Sequence, residues 1–576
     1  MIIGYIFTAV YAMLFLAFLG SAYLSRKEIS KVFRGNIDKI TIAAALLIVL
    51  FFILFSILYV SPAEQLYFDE NIYQGIALNI LHNGNALWCQ YGSAYAAQCP
   101  LSEIYHDPVE WSFYIAIAFL FFGPGTSTAY ALQLFTGALS IFLVFLLGSI
   151  LIGKRGGVAA ALVFALLPQL FIWSRTQAVM NLGMMMFSVL AFVCYIIYDR
   201  ARNANTLVLF LSALEIAAYI RIEAALLIPI FAIVYLLGDG MKAVAKRVHY
   251  AVYSKLGMSG IIVFIFFLLF VPQIYYVAYE LGSLNYGSGT ICGVSSNHTF
   301  SITNFMCNAP TNLNYFAGQY NSVSFFPAYF SPITSIAALI GLLALVAAKH
   351  DEKRKIVMLM CLWIVAFFLF YSFFYAGGVT YGVDVRFMLE LYPPMAILIG
   401  IAIADIANLF SSSARPRSKL KDRRAIPIYS TIAFLVLLAI FALYPFVTSI
   451  KNITLLPQNM PQEPGPLTAT NFIYANYNVV PASCLVFSFT PDIWFELNRS
   501  AAQIGDLGSS DKNFTRFESN YSCFVVDYGY WCSVPPYRSG VCSSDMKYNL
   551  TTLATAPAQG SGNLSLYEIN NYNPGH

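Results

Sequence analysis

The chain has 576 residues, of which 59% are hydrophobic and only 10% charged. About a quarter of the residues in soluble domains are charged, so this composition excludes an ordinary soluble globular protein. The formal net charge of +4 is too small to suggest a nucleic-acid partner.

A membrane-spanning helix needs about 20 apolar residues at a rise of about 1.5 Å each. From the N-terminus, spans are expected near 2–24 and 40–60. The first has no basic residue before it and several after it, so it reads as an anchor with an outward N-terminus rather than a cleaved signal peptide. Residues 61–125 form a first outer loop. It opens with Tyr67-Phe68-Asp69-Glu70-Asn71-Ile72-Tyr73, enters a helix to about Asn83, and later reads His106-Asp107-Pro108-Val109-Glu110-Trp111. The apolar run Phe113 to Phe122 is ten residues, too short to cross, and is expected to lie at the interface.

Further spans are expected near 126–152, 157–174, 176–198, 206–220, 222–238, 258–279, 329–348, 356–376, 387–409 and 427–447. One helix over 206–238 would be about 50 Å long, too long for a single crossing, so Arg221 marks a tight outer turn between two. Residues 281–328 form a second outer loop rich in Asn, Ser, Gly, Tyr and Phe. Beyond 447 aliphatic density falls. There Cys484-Leu-Val-Phe-Ser-Phe and Cys523-Phe-Val-Val-Asp-Tyr read as buried strands, with a helix-compatible stretch at 467–478 before them. The expected fold is an all-α polytopic membrane protein of about 12 transmembrane helices, with interfacial helices in the first outer loop and a small α/β extracytoplasmic C-terminal domain. The division falls at 1–447 and 448–576.

Basic residues set the sidedness. Alternate connections carry 23 of the 32 Lys and Arg, from Arg26 and Lys27 to the run Arg415 to Arg424. The positive-inside rule puts those connections in the cytoplasm and both termini outside, in the plasma membrane. All seven Asn-x-Ser/Thr sequons, at Asn297, Asn452, Asn498, Asn513, Asn520, Asn549 and Asn563, then fall outside. Cys194 and Cys361 sit within spans as packing residues. Cys89, Cys99, Cys292, Cys307, Cys484, Cys523, Cys532 and Cys542 lie outside, an even number in an oxidising compartment. Proximity along the chain favours Cys89–Cys99 and Cys292–Cys307, and Cys484–Cys523 would tie the two strands. No CxxC-type spacing favours zinc instead.

Charges that interrupt apolar segments are functional candidates. Apart from the cytoplasmic set and the tail, the basic residues are Arg175, Arg221 and Arg386, each at the outer end of a span. Asp69, Glu70, Asp107, Glu110, Glu223, Asp384 and Glu390 gather at the same level. Arginines there can clamp a phosphate in bidentate fashion, and a carboxylate can serve as a base. The plainer reading is that these residues end helices and meet headgroups, and that Asp69 is an N-cap.

The FDENIY segment resembles the first-loop motif of the GT-C glycosyltransferases, which include protein O-mannosyltransferases and the lipid A aminoarabinose transferase. HDPVEWSFYIAIAFLFFG is similar to their second first-loop segment, WSRTQAVMNLGMMMFSVLAF to their outer hairpin, and RFMLELYPPMAILIG to their RYxLPLYP span. The resemblance covers roughly the first 410 residues in order. It implies an inverting transfer of a sugar from a polyprenyl- or dolichyl-phosphate-linked donor to an acceptor lipid, glycan or protein on the outer face. Asp69 is then the base and Glu70 its support. His106, Arg175, Arg221 and Arg386 would hold the donor phosphate, with Tyr73, Asp107, Glu110, Glu223 and Asp384 around the substrates. Asp107 stands where the family usually has Pro, and Asn181 where it often has Asp. A divalent cation, Mg²⁺ or Mn²⁺, on the carboxylates is an open option.

Two rival functions bear weighing. Asp527-Tyr528-Gly529-Tyr530-Trp531 is similar to the acceptor motif of oligosaccharyltransferases, but Val525 and Val526 replace both tryptophans. Asp527 is expected to end a buried strand instead. A transporter or flippase of lipid-linked saccharides would bind near the midplane, where Glu215 is the only deep acid; the rest gather at one face, which favours surface chemistry.

Overall fold

A computed structural model of the chain describes residues 2–60, 69–93, 98–105, 108–175, 180–238, 256–283, 289–291, 294–296, 299–317, 331–347, 351–374, 377–378, 384–413, 425–459, 466–508, 512–528, 548–558 and 562–572. The first three helices are α1 (Ile2–Leu24), α2 (Arg26–Arg34) and α3 (Lys39–Tyr59); α4 (Asp69–Asn83) and α5 (Glu110–Phe122) belong to the first loop. α6 (Thr126–Ala165), α7 (Pro168–Trp173), α8 (Met180–Ala201), α9 (Ala204–Ile220) and α10 (Leu227–Gly238) follow. Among the described residues seven helices are long and apolar enough to cross a membrane. The segments Met180–Ala201 and Arg386–Leu409 are buried along almost their whole length, whereas Ile2–Leu24, Lys39–Tyr59, Met258–Tyr279 and Ser430–Ile450 turn most of theirs outward. An apolar outer surface of that extent suits lipid and not water.

α6 is two predicted spans in one element. Gly153, with φ of 83°, takes a left-handed conformation that side chains rarely adopt. The chain doubles back there: a Cβ on Gly157 would lie 2.6 Å from the Ser149 backbone nitrogen, so a glycine is what lets the two arms touch. Four other predicted spans are the shorter helices Ala204–Ile220, Ile222–Tyr235, Pro332–Ala347 and Met358–Phe373. The stretch 157–174 is further broken between α6 and α7, where Pro168 opens the second piece.

Polar contacts show which connections share a face. Asp38 caps α3 in a capping box with Thr41, and its carboxylate receives Lys154 Nζ at 2.8 Å from the α6 turn. Arg155 donates to Ser430 Oγ at 2.7 Å, bringing the start of the last span to the same side. At the opposite ends of α3 and α7, Arg175 Nε donates to the Val60 carbonyl at 3.1 Å.

The tail domain is larger than its own sequence. β3 (Gly289–Ile291) and β4 (Val294–Ser296) of the second loop pair with each other, while β1 (Trp88–Ser93) and β2 (Gln98–Glu103) of the first loop join β5 (Cys484–Ser488), β6 (Ser500–Gln503), β7 (Cys523–Tyr528), β8 (Asn549–Ala558) and β9 (Gly562–Asn570) in one seven-stranded sheet, ordered β2-β1-β6-β5-β7-β9-β8. β5 lies between β6 and β7 and pairs with both in parallel. It is buried throughout, as expected of a strand covered on both faces. Leu485 and Phe487 face a small outer core with Tyr91 and Val526, while Val486 and Val525 face a core continuous with the membrane helices. Disulfides Cys89–Cys99 and Cys484–Cys523 form as expected, the second across paired positions of neighbouring strands. Cys307 is disulfide-bonded; Cys292, Cys532 and Cys542 lie outside the described residues.

Candidate functional site

Helix α9 ends at Ile220, and Arg221 continues with extended backbone (φ −149°, ψ 133°) before a 3₁₀ turn at Ile222–Leu226. This break turns the Arg221 side chain onto Glu223, two residues on. Its Nε donates to both carboxylate oxygens at 3.1 and 3.2 Å, and Nη2 to Oε1 at 2.6 Å. The Oδ1 of Asn181, from the first turn of α8, accepts from Nη1 at 3.4 Å. Both ends of the ion pair are buried. A buried pair persists only where each charge is matched and hydrogen-bonded, and the fork of the guanidinium meets that condition here.

A second arginine reaches the same place along another element. Residues Asp384–Leu391 form a 3₁₀ segment leading into the helix Tyr392–Ser413. Phe387 on that segment carries the Arg221 guanidinium 5.0 Å from its ring centroid and the Arg386 guanidinium 5.3 Å from it. A ring face attracts cations, so Phe387 is a common contact of both guanidiniums. Tyr371 packs on Phe387 at 5.4 Å and interacts electrostatically with Glu223, Arg221, Glu390 and Arg386. Glu390 is buried and accepts from Ser188 of α8 at 3.1 Å. Two arginines and two glutamates therefore surround one tyrosine, and Nδ2 of Asn181 has no hydrogen-bond partner there.

Helix α4 comes to this cluster through Tyr73. Its hydroxyl lies 4.0 Å from Met180 Sδ, the residue next to Asn181. Asp69 is one turn before Tyr73 on the same face, and Asp69 and Glu70 form the first turn of α4. Their side chains, and that of Asp384, lie outside the described set, as do His106 and Asp107 entirely. Of the predicted site residues, then, Arg221, Glu223 and Arg386 come together, and Tyr73 reaches them only through Met180 and Asn181. Arg175 stands at the end of α3, half-buried, where it anchors the root of the loop that carries Asp69. Glu110 turns the other way, into the packing of α1, α5 and α9: Tyr114 donates to it at 3.3 Å, and Tyr11, Tyr219 and Glu215 are its charge-sensing neighbours. Among the described residues no group of three His, Cys, Asp or Glu gathers to hold a metal. Glu223 is committed to Arg221, and the side chains of Asp69, Glu70 and Asp384 lie outside the described residues.

Sequence reasoning missed Tyr371, Ser188 and Phe387 as members of the cluster. They look like ordinary span residues, and only packing gives them a place at the arginines. Asn181 carried a signal, as the polar residue opening the α8 run.

Residues 106–276 match the family described as dolichyl-phosphate-mannose-protein mannosyltransferase. No curated protein matches the chain in sequence. Among solved structures, ArnT from Cupriavidus metallidurans in the apo state is similar with a TM-score of 0.53 and 11% identity, over 92% of this chain and 97% of that one. The same protein bound to undecaprenyl phosphate gives a TM-score of 0.52 at 11% identity, with 92% and 97% covered. The Archaeoglobus fulgidus oligosaccharyltransferase in its apo form gives 0.49 at 12% identity, over 91% of this chain and 74% of that one. The chain has the GT-C fold, with its helices in the membrane and a sheet-containing domain at the C-terminus.

Proposed function

We propose that the protein is a membrane glycosyltransferase that moves a sugar from a polyprenyl- or dolichyl-phosphate donor to a hydroxyl acceptor at the outer boundary of the membrane. The observation that carries this is the convergence of Arg221 and Arg386 on Phe387, with the α4 residue Tyr73, one turn from Asp69, meeting Met180 next to the Asn181 that bonds Arg221. The family matched over 106–276 is described by a dolichyl-phosphate sugar donor, and one of the fold relatives binds undecaprenyl phosphate. Both support a lipid-phosphate donor for this chain.

In this reading the acceptor oxygen attacks the anomeric carbon while the bond from that carbon to the phosphate oxygen breaks. The acceptor proton passes to Asp69, with Glu70 beside it, and the lipid phosphate leaves carrying the bonding electrons. Phosphate needs little protonation to leave, so the gain comes from cations placed where its charge grows. Arg386 and Arg221 take that role, and Glu223 holds the Arg221 fork in orientation. Arg175 steadies the loop root, and His106 is assigned to the phosphate by the family resemblance. A general base contributes about 10²- to 10⁴-fold.

The test is sugar transfer by purified protein from radiolabelled polyprenyl-phosphate sugars, with and without chelator. Transfer that falls about 10²-fold or more in Asp69→Asn is expected, and the chelator arm decides whether a divalent cation takes part. Full transfer by Asp69→Asn, Glu70→Gln protein would overturn the base assignment, and no release from any lipid-phosphate donor would overturn the function.

A further inference from the structure

A groove of about 760 Å³ lies between the C-terminal end of α4, the β1–β2 hairpin and the tail domain. It starts at Asn79, about 15 Å along α4 from Asp69 at 1.5 Å per residue, so it is separate from the arginine cluster. Every described residue lining it is uncharged. An anionic or cationic ligand would meet no counter-charge there, and burying a charge without one is costly. A purely apolar ligand would leave the polar groups of Asn83, Asn520, Ser483 and Ser522 along its edge without water.

The amides are set rather than loose. Asn79 Nδ2 donates to the Leu87 carbonyl at 2.8 Å, and its Oδ1 accepts from Asn83 Nδ2 at 2.9 Å. Asn85 is 6% exposed, with its Oδ1 packed against the Cα of Gly4, so it fixes the groove floor against α1. Across from them Tyr91 stacks on Phe517 at 5.2 Å and meets Tyr521 edge-on at 6.0 Å, forming an aromatic wall. Amide and hydroxyl groups lining the same groove as an aromatic wall match a molecule with hydroxyls on its edge and C–H groups on its faces. The volume is that of an ordinary small-ligand site.

We propose that this groove binds a neutral saccharide. Such a ligand has two sources. One is a free or acceptor-borne saccharide, which under the transferase reading would place the acceptor's glycan on α4. The other is a glycan on the chain itself, because Asn520 of an Asn-Tyr-Ser sequon stands in the groove wall.

The experiment titrates full-length detergent-purified protein, without any donor, with mannotriose, maltotriose and trigalacturonate, read by saturation-transfer NMR and calorimetry. Saturable binding of a neutral trisaccharide but not of trigalacturonate is expected. Ala482→Trp, an exposed position that fills the groove, and Asn83→Ala should each weaken it at least tenfold while the thermal midpoint stays within a few degrees. Binding equal in parent and Asn520→Gln protein assigns a free saccharide; binding gained only in Asn520→Gln, with a sugar mass on the parent, assigns the chain's own glycan. The proposal is overturned if no neutral trisaccharide binds either protein, or if Ala482→Trp binds as tightly as the parent. Because no donor is present, this outcome is read independently of whether the protein transfers sugar.

Discussion

Arg221 and Arg386 share one phenylalanine ring but differ in how the fold uses them. Arg221 is buried in a bidentate pair with Glu223, so its loss leaves a carboxylate without its partner. Breaking such a pair costs about 3–5 kcal/mol. Arg386 is half-buried at the start of a span. Arg386→Ala is therefore expected to lower sugar transfer about 10²-fold with little change in thermal midpoint, whereas Arg221→Ala loses both transfer and stability. Arg221→Lys keeps the charge but not the fork, and should fall between them. Parallel thermal melts and transfer rates on the three variants check this; equal loss of stability in Arg386→Ala and Arg221→Ala would contradict it. The presence of both arginines was legible in the sequence, since an unbalanced charge at the end of an apolar run stands out. Tyr371 and Ser188 were not, because a tyrosine or serine in a span has no role until its neighbours are known.

The tail strands and α4 act on each other as elements. Asp492, in the short helix Pro491–Glu496, lies against Gly75 of α4, where a Cβ would come within 1.6 Å of its Oδ1. Only a glycine allows that approach, so Gly75→Ala is expected to separate the tail from α4 and to lower both thermal midpoint and transfer. Asp527, next to the end of β7, accepts from Ser488 Oγ at 2.8 Å and Trp494 Nε1 at 2.9 Å, a structural task within the sheet. Burial pushes its carboxyl up to about 6, against the hydrogen bonds from Trp494 and Ser488 that pull it down. Burial also pushes Asp492 well above the usual carboxylate range, with Glu496 adding to it. A carboxyl with a raised folded pKa holds its proton more tightly in the folded state. The Asp527 contribution is therefore fully present below about 3.8, its unfolded value, and is lost as pH rises through about 6. The loss is about 3 kcal/mol at 1.36 kcal/mol per pKa unit. Thermal melts of parent and Asp527→Asn from pH 4 to 7 should show the slope flattened in the variant; an unchanged slope would remove Asp527 as its source. The Cys484–Cys523 disulfide closes a separation of 39 residues, for which the chain-entropy account gives about 4 kcal/mol, so Cys484→Ser, Cys523→Ser protein should melt lower by that measure.

At the scale of the whole molecule the membrane bundle and the tail are one structure. β1 pairs with β6, Tyr91 opposite Ala502 and Gly92 opposite Ala501, so a hairpin from the first loop completes a sheet made some 400 positions later. The apolar helices and the two tail strands could be read from hydropathy, because the membrane thickness and a doubly covered strand each impose a run of apolar residues. The hairpin could not, since Trp88–Ser93 contains Gly92 and Gln98–Glu103 contains Pro100, and both become strands only by pairing at distance. A chain cut after Asn459 should consequently lose the loop geometry as well as the tail, and should not transfer sugar even though every membrane helix remains. The central claim is that α4 supplies the base while the arginine cluster holds the donor phosphate, and separating donor binding from turnover tests it most directly. The measurement is the affinity for a radiolabelled polyprenyl-phosphate sugar alongside the single-turnover transfer rate, in parent, Asp69→Asn and Arg386→Ala proteins. The account predicts that Asp69→Asn binds donor like the parent but transfers at least about 10²-fold more slowly, and that Arg386→Ala binds donor weakly. Donor affinity unchanged in Arg386→Ala together with full turnover in Asp69→Asn would contradict it.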